Sequence, residues 1–177
     1  RVAGSLPGRN NIMQSVMWKA SRESIENSQM TAFIKYINDN CGLQLEDYSQ
    51  LYKWSIEQAE DFWGAFWKFS GIIHHSPYDA VVDDITKMPC AKWFKGSTLN
   101  FAENLLRYKD DHIAIQFFGE DDIRSSLSYN DLYEQVAGLA SAMKKNGIKK
   151  GDRVCGFLPN IPETIIAMLA SASIGAI

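Results

Sequence analysis

Residues 153–177 read RVCGFLPNIPETIIAMLASASIGAI. A strand-like run, Arg153 to Leu158, meets a Pro/Asn turn and then a strongly apolar helix. Asn160 is placed to cap that helix, and Pro162 falls near its first position, where a missing N–H costs nothing. Strand followed by helix makes the first two parts of a β-α-β unit, the crossover that parallel strands need. Ile165, Ile166, Met168, Leu169 and Ile174, with the alanines between them, leave few polar positions on any face. A helix apolar nearly all round is one buried from several sides. Nothing in residues 1–160 supplies two covering layers. The expectation is therefore a piece of a larger fold, with a following strand and more sheet still to come.

Working back from that stretch, KKGD (149–152) turns the chain into the strand. Before it, Ser128 opens a capped helix with Asp131 three residues on. Leu132, Val136, Leu139, Ala140 and Met143 form its buried stripe, and Gly147 ends it. HIAIQFFGEDDIRSSLSY (112–129) alternates around a Gly-Glu-Asp-Asp turn, which predicts a hairpin. Leu99 to Arg107 reads as helical and Val81 to Ile85 as a short strand.

The first half is helical in pattern. Met30, Phe33, Ile34 and Ile37 recur at helical spacing after Ser28, and Gly42 provides the stop. Ser55 and Gln58 have the spacing of a capping box. The helix expected after it, EDFWGAFWKFSG (60–71), would carry Phe62, Trp63, Phe66 and Trp67 on one side. Aromatic residues so spaced are expected as core rather than as a stacking platform for a ligand. Residues 1–20 read as a flexible leader that Met17 and Trp18 begin to anchor. The fold class is thus α/β, with a helical first half followed by hairpin, helix, strand and helix.

Composition narrows the function. The chain has 177 residues, 46% of them hydrophobic and 22% charged, with five Trp, nine Phe and seven Tyr, so a real core is expected. A net charge of −3 with both signs interspersed argues against nucleic acid as a partner. No uninterrupted run of 18 apolar residues occurs, which argues against a membrane span. Cys41, Cys90 and Cys155 are odd in number and widely spaced. They suit a reducing cytoplasm better than a disulfide framework, and are expected as buried packing residues.

No complete active site can be assembled. The phosphate-cradling patterns G-x-x-x-x-G-K-[ST] and G-x-G-x-x-G are absent from the sequence, as is the G-x-S-x-G elbow. His74 and His75 are adjacent, so on a regular element they point apart and make a poor ligand pair. His112 beside Asp110 and Asp111 reads as surface. Asp83–Asp84 and Glu120–Asp121–Asp122 read as polar turns, so catalytic and metal residues are expected to be none. The PNIPE turn (159–163) lies at the carboxyl end of a strand and before a helix N-terminus, where ligands settle in open α/β sheets and anions are favoured. By position alone Asn160 and Glu163 are the candidate cofactor-binding residues; turn and cap chemistry explains the same two residues equally.

LSYNDLYEQVAGLASAMKKNGIKKGDRVCGFLPNIPETIIAMLASASIGAI (127–177) resembles the opening of the AMP-forming acyl-CoA synthetase and adenylation superfamily. The likeness lies in the tyrosine-led helix, the G-I/V-x-x-G-D-x-V link, the P-N-x-P-E turn and the A-x-x-x-x-G-A ending. Upstream, YSQLYKWSIEQAEDFWGAFWKFSGI (48–72) and WFKGSTLNFAENLLR (93–107) resemble the N-terminal extension of the acetyl-, propionyl- and acetoacetyl-activating branch. Ala102-Glu103-Asn104-Leu105-Leu106 matches the acetoacetate-activating form. The resemblance implies an extension over residues 21–108 and the truncated start of an AMP-binding large domain over 109–177. It implies a ligase that joins an acid to ATP, releasing pyrophosphate, and passes the acyl group to CoA, with Mg²⁺ neutralising phosphate charge. Acetate, propionate or another short acid is the alternative substrate, and a small non-catalytic α/β interaction module is the alternative of another class. The family's phosphate loop, ribose-binding Asp and catalytic Lys all lie downstream of these motifs. The fragment is therefore expected to be inactive alone, to bind none of ATP, Mg²⁺ or CoA, to pair with the remainder of its own large domain, and to self-associate when that cover is missing.

Overall fold

The computed structural model describes residues 17–177; the expected leader, residues 1–20, lies mostly outside the described residues. Met17 and Trp18 are exposed and give that segment no anchor among the described residues. Two compact units form, one ending at Phe69 and one running from Ser70 to Ile177.

The first unit is helical: α1 (Arg22–Glu26), α2 (Gln29–Cys41), α3 (Tyr48–Glu57) and α4 (Ala59–Ser70). Ser28 caps α2 through the amide of Thr31, and Gly42 closes it in the left-handed region at φ +68°, where a Cβ would be strained. Asn38 then grips Leu45 from both sides, donating to its carbonyl and accepting from its amide at 2.8 Å each. The expected capping box at Ser55 and Gln58 does not form. Asp47 caps a helix that begins earlier, and Ser55 lies inside it, donating to the Tyr52 carbonyl. The break falls instead at Gln58, whose amide closes α3 on Trp54 and whose carbonyl accepts the first amide bond of α4, from Phe62. The core joins Phe33 and Ile37 of α2, Leu51 and Trp54 of α3, and Ala65 of α4, with Phe62 and Phe69 packed against them. Trp63 and Phe66 stay partly exposed and Trp67 is buried outside that cluster, so the predicted one-sided aromatic face is split.

In the second unit β1 (Ala80–Val82) pairs antiparallel with β2 (Trp93–Lys95), Ala80 opposite Lys95 and Val82 opposite Trp93. The expected strand over 81–85 is shorter because Asp83 and Asp84 turn the chain. Asp83 accepts the amides of Lys92 and Asp84, and the first of these chiefly holds its carboxyl below the ordinary aspartate range. Helix α5 (Phe101–Leu105) follows, capped by Asn100. The hairpin forms as expected from β3 (Ile113–Phe118) and β4 (Arg124–Ser128), with Asp121 and Asp122 at positive φ in its turn. Helix α6 (Tyr129–Lys145) and helix α7 (Pro162–Ser173) complete the order. One side of α7 packs on α5 and α6: Ile166, Leu169 and Ala170 share a core with Ala102, Leu106, Leu132, Val136 and Ala140.

The predicted cap of α6 is a full capping box. The Ser128 hydroxyl accepts the Asp131 amide, and the Asp131 carboxylate accepts the Ser128 hydroxyl (2.6 Å) and amide (3.0 Å). Those bonds, the hydroxyl's first, lower the Asp131 pKa against a small opposing effect of desolvation. A depressed folded value means the stabilisation is complete above the ordinary aspartate pKa and is lost as pH falls through the lower folded one. Independently of that titration, Ser128→Ala removes the N-cap hydroxyl and should lower unfolding free energy at neutral pH by about 1 kcal/mol. Urea melts across the acid range should also show a flatter acid limb for Asp131→Asn than for the parent chain.

Candidate functional site

The run expected as a strand, Arg153 to Leu158, is extended but joins no sheet among the described residues. Its first residues nevertheless carry a strand's pairing. The Ile177 amide donates to the Asp152 carbonyl and the Val154 amide donates to the Ile177 carbonyl, each at 2.8 Å. This is the two-bond unit of a parallel ladder with Ile177 beside Arg153. The KKGD turn prepares it: the Lys149 amide donates to the Asp152 carboxylate, and the Gly151 amide to the Gly175 carbonyl. Gly175 sits at φ +75° with the Lys150 side chain packed where a Cβ would be, at 3.0 Å, so a larger residue would be resisted twice over.

The PNIPE turn leaves Asn160 and Glu163 both exposed. Asn160 is not the cap of α7. The N-cap is Ile161, which makes no side-chain cap bond, and the turn is closed by the Thr164 hydroxyl and the Ile161 amide, both donating to the Pro159 carbonyl. Pro162 occupies the start of the helix as expected. Asn160→Ala should accordingly change stability by no more than about 0.5 kcal/mol in a urea melt, the size expected of an unpartnered surface position.

Between the extended run and the outer side of α7 lies an apolar groove of about 490 Å³, lined by Val154, Leu158, Ala167, Met168 and Ala172 among others. At the other end of α7, Asn100 donates to the carbonyls of Ala172 and Ser173 at the helix C-terminus, the first of which also accepts the Gly175 amide. Asn104, one turn further along α5, donates to the Ile73 and Asn100 carbonyls and accepts the Ile73 amide. Arg107 reaches the carbonyls of Ser70 and Gly71. These three polar anchors tie α5 to its neighbours. All three lie in the stretch WFKGSTLNFAENLLR (93–107), whose resemblance assigns them no anchoring role.

A second groove, about 550 Å³, is lined by His75, Asn100, Glu103, Arg107 and Tyr133 among others. His75 pairs with Glu103 at 2.9 Å across its wall, and the Lys109 ammonium lies 4.0 Å above the Tyr133 ring. His112 is a surface residue beside Asp110, as read from the sequence. Cys41, Cys90 and Cys155 are exposed rather than buried, because each falls at a helix end, in a turn or on the unpaired extended run. Among the described residues no group of three or more His, Cys, Asp and Glu is placed to hold a metal ion. No described helix is long and apolar enough to cross a membrane.

Two family models match the chain: acetyl-coenzyme A synthetase N-terminus over residues 48–105 and AMP-binding enzyme over residues 101–177. The acetoacetyl-CoA synthetase of Macaca fascicularis is 48% identical, an alignment covering 97% of this chain and 26% of that protein. The malonamoyl-CoA synthetase vrtB of Penicillium aethiopicum is 39% identical, covering 93% of this chain and 23% of the relative. Among solved structures, acetoacetyl-CoA synthetase from Streptomyces lividans superposes with a TM-score of 0.80 at 33% identity, over 90% of this chain and 25% of that one. The chain spans about a quarter of the length of these relatives.

Proposed function

We propose, for a chain that belongs to the AMP-forming acyl-CoA synthetase family, that it is the N-terminal part of a cytoplasmic ligase that joins acetoacetate to CoA. The whole enzyme would let an acetoacetate oxygen attack the α-phosphorus of ATP, expelling pyrophosphate and leaving acetoacetyl-adenylate. The CoA sulfur would then attack the acyl carbon, transferring its proton to solvent and expelling AMP. Mg²⁺ would neutralise phosphate charge in the first step, held with the nucleotide by residues outside this chain.

This quarter supplies scaffold. Residues 21–108 form the extension and residues 109–177 begin the large domain; the meeting of the two family matches at 101–105 supports that division. Its own contribution is to fix α7 from one side, through the core it shares with α5 and α6. The observation carrying this reading is the joint agreement of sequence and fold with acetoacetyl-CoA synthetases across nearly the whole chain. The identity to a malonamoyl-CoA synthetase supports a second short acid as the alternative. Acid competition decides it. The full-length enzyme bearing this chain should release pyrophosphate faster with acetoacetate than with acetate, propionate or malonamate; preference for any of those would overturn the substrate. The isolated chain, lacking its cover, should self-associate through the outer side of α7, seen as a concentration-dependent mass in light scattering.

A further inference from the structure

Helix α6 ends on Lys144-Lys145-Asn146-Gly147-Ile148, and the pair Asn-Gly occurs nowhere else in the 177 residues. Gly147 stands at φ +89°, with nothing within 4 Å of where a Cβ would be. Its amide donates to the Lys144 carbonyl at 3.0 Å, and the Ile148 amide donates to the Met143 carbonyl at 3.1 Å. These are the two paired bonds of a Schellman helix end. The Asn146 side chain folds backward onto the helix, its Nδ2 donating to the Ala142 carbonyl at 2.9 Å. Asn146 and Gly147 are both exposed, so water and hydroxide reach them.

Asparagine before glycine has a reaction open to it that needs only water and base. The Gly147 nitrogen, once its proton passes to hydroxide, attacks Cγ of Asn146. A five-membered succinimide forms, the Cγ–Nδ2 bond breaks, and that nitrogen leaves as ammonia with a proton from water. Water then opens the ring at either carbonyl. Cleavage at Cγ leaves aspartate; cleavage at the main-chain carbonyl leaves isoaspartate, whose backbone runs through Cβ. A β-carbon on the following residue obstructs the attack, and every other described asparagine is followed by one.

We infer that Asn146 is a site of spontaneous deamidation, gated by fraying of the α6 C-terminus. In the closed turn the attacking nitrogen is held by Lys144 and the leaving amide by Ala142, so both bonds must open before the ring forms. Helix ends open at little cost in free energy, so the turn slows the reaction without silencing it. The product does not reclose the same turn. Isoaspartate lengthens the main chain by one carbon between the partners of both Schellman bonds, and either product sets a carboxylate at the negative end of the helix. The inference is independent of which acid the whole enzyme activates.

The test incubates the chain, shown folded by circular dichroism, at mildly alkaline pH beside the same chain in guanidinium chloride, and follows each asparagine by peptide mass spectrometry. Amide-to-acid conversion should appear at Asn146 before any other described asparagine, with isoaspartate exceeding aspartate. It should run about tenfold slower in the folded chain than in denaturant, the effect of one net hydrogen bond. Asn146→Gln, which would need a six-membered ring, should remove the new acidic band on isoelectric focusing. Equal rates in the folded and unfolded chain would overturn the gating. Earlier conversion at another described asparagine, aspartate without isoaspartate, or an acidic band that survives Asn146→Gln would overturn the site.

Discussion

Leu169→Ala should cost the unit from Ser70 to Ile177 about 3 kcal/mol of unfolding free energy. Leu169 is only 2% exposed and shares the core between α5, α6 and α7 with Leu106, Leu132 and Val136. Truncation removes its transfer free energy and leaves a cavity that three packed helices cannot fully close. Its chain neighbour Met168 is as apolar but 49% exposed on the groove side. Met168→Ala should shift the same urea midpoint by the equivalent of about 0.5 kcal/mol or less. The contrast matters more than either value, since it measures how one-sidedly α7 is covered. Equal losses at the two positions would mean that the outer side is not open.

Phe33→Ala should cost the first unit about 4 kcal/mol. The Phe33 ring meets Phe62 and Phe66 edge-on, at centroid distances of 5.7 and 5.6 Å, and lies tilted against Phe69 at 4.9 Å. It is the centre of the aromatic contacts that join α2 to α4, so its loss removes area, packing and the edge-to-face terms together. Phe33→Leu keeps most of the volume and should cost about 1.5 kcal/mol or less. Near-ultraviolet circular dichroism during urea unfolding would follow both. Similar losses for alanine and leucine would show that ring geometry, not filled volume, holds this core.

What could be read from the sequence was local. Ser28, Gly42 and the Ser128–Asp131 box decide their helix ends within four residues, and each formed as predicted. The hairpin over residues 113–128 also carries its own alternation and turn. Ser55–Gln58 misled because the pattern of a capping box was present inside a helix that Asp47 had already started. Strand β2 was illegible: three residues, Trp93–Lys95, show no period of their own and are ordered by pairing with β1. Asn100 and Asn104 were missed for a related reason. Both lie in the stretch 93–107 that resembles the family extension, but their partners, Ala172 and Ile73, are 72 and 31 residues away, and the stretch itself does not name them. The run over 153–158 was legible as extended chain, but a strand is completed by its neighbours, and among the described residues only Ile177 shares backbone hydrogen bonds with its start. Asn160 and Glu163 could be named by place alone. Both are exposed, and no described hydrogen bond ties their side chains to a common centre.

If this chain carries framework while the reacting groups are supplied elsewhere, as proposed, it should be inert on its own. The most direct measurement mixes the 177-residue chain, shown by circular dichroism to be folded, with ATP, Mg²⁺, acetoacetate and CoA, and follows pyrophosphate. Release no faster than in a protein-free blank is the predicted result; sustained turnover by the chain alone would contradict it.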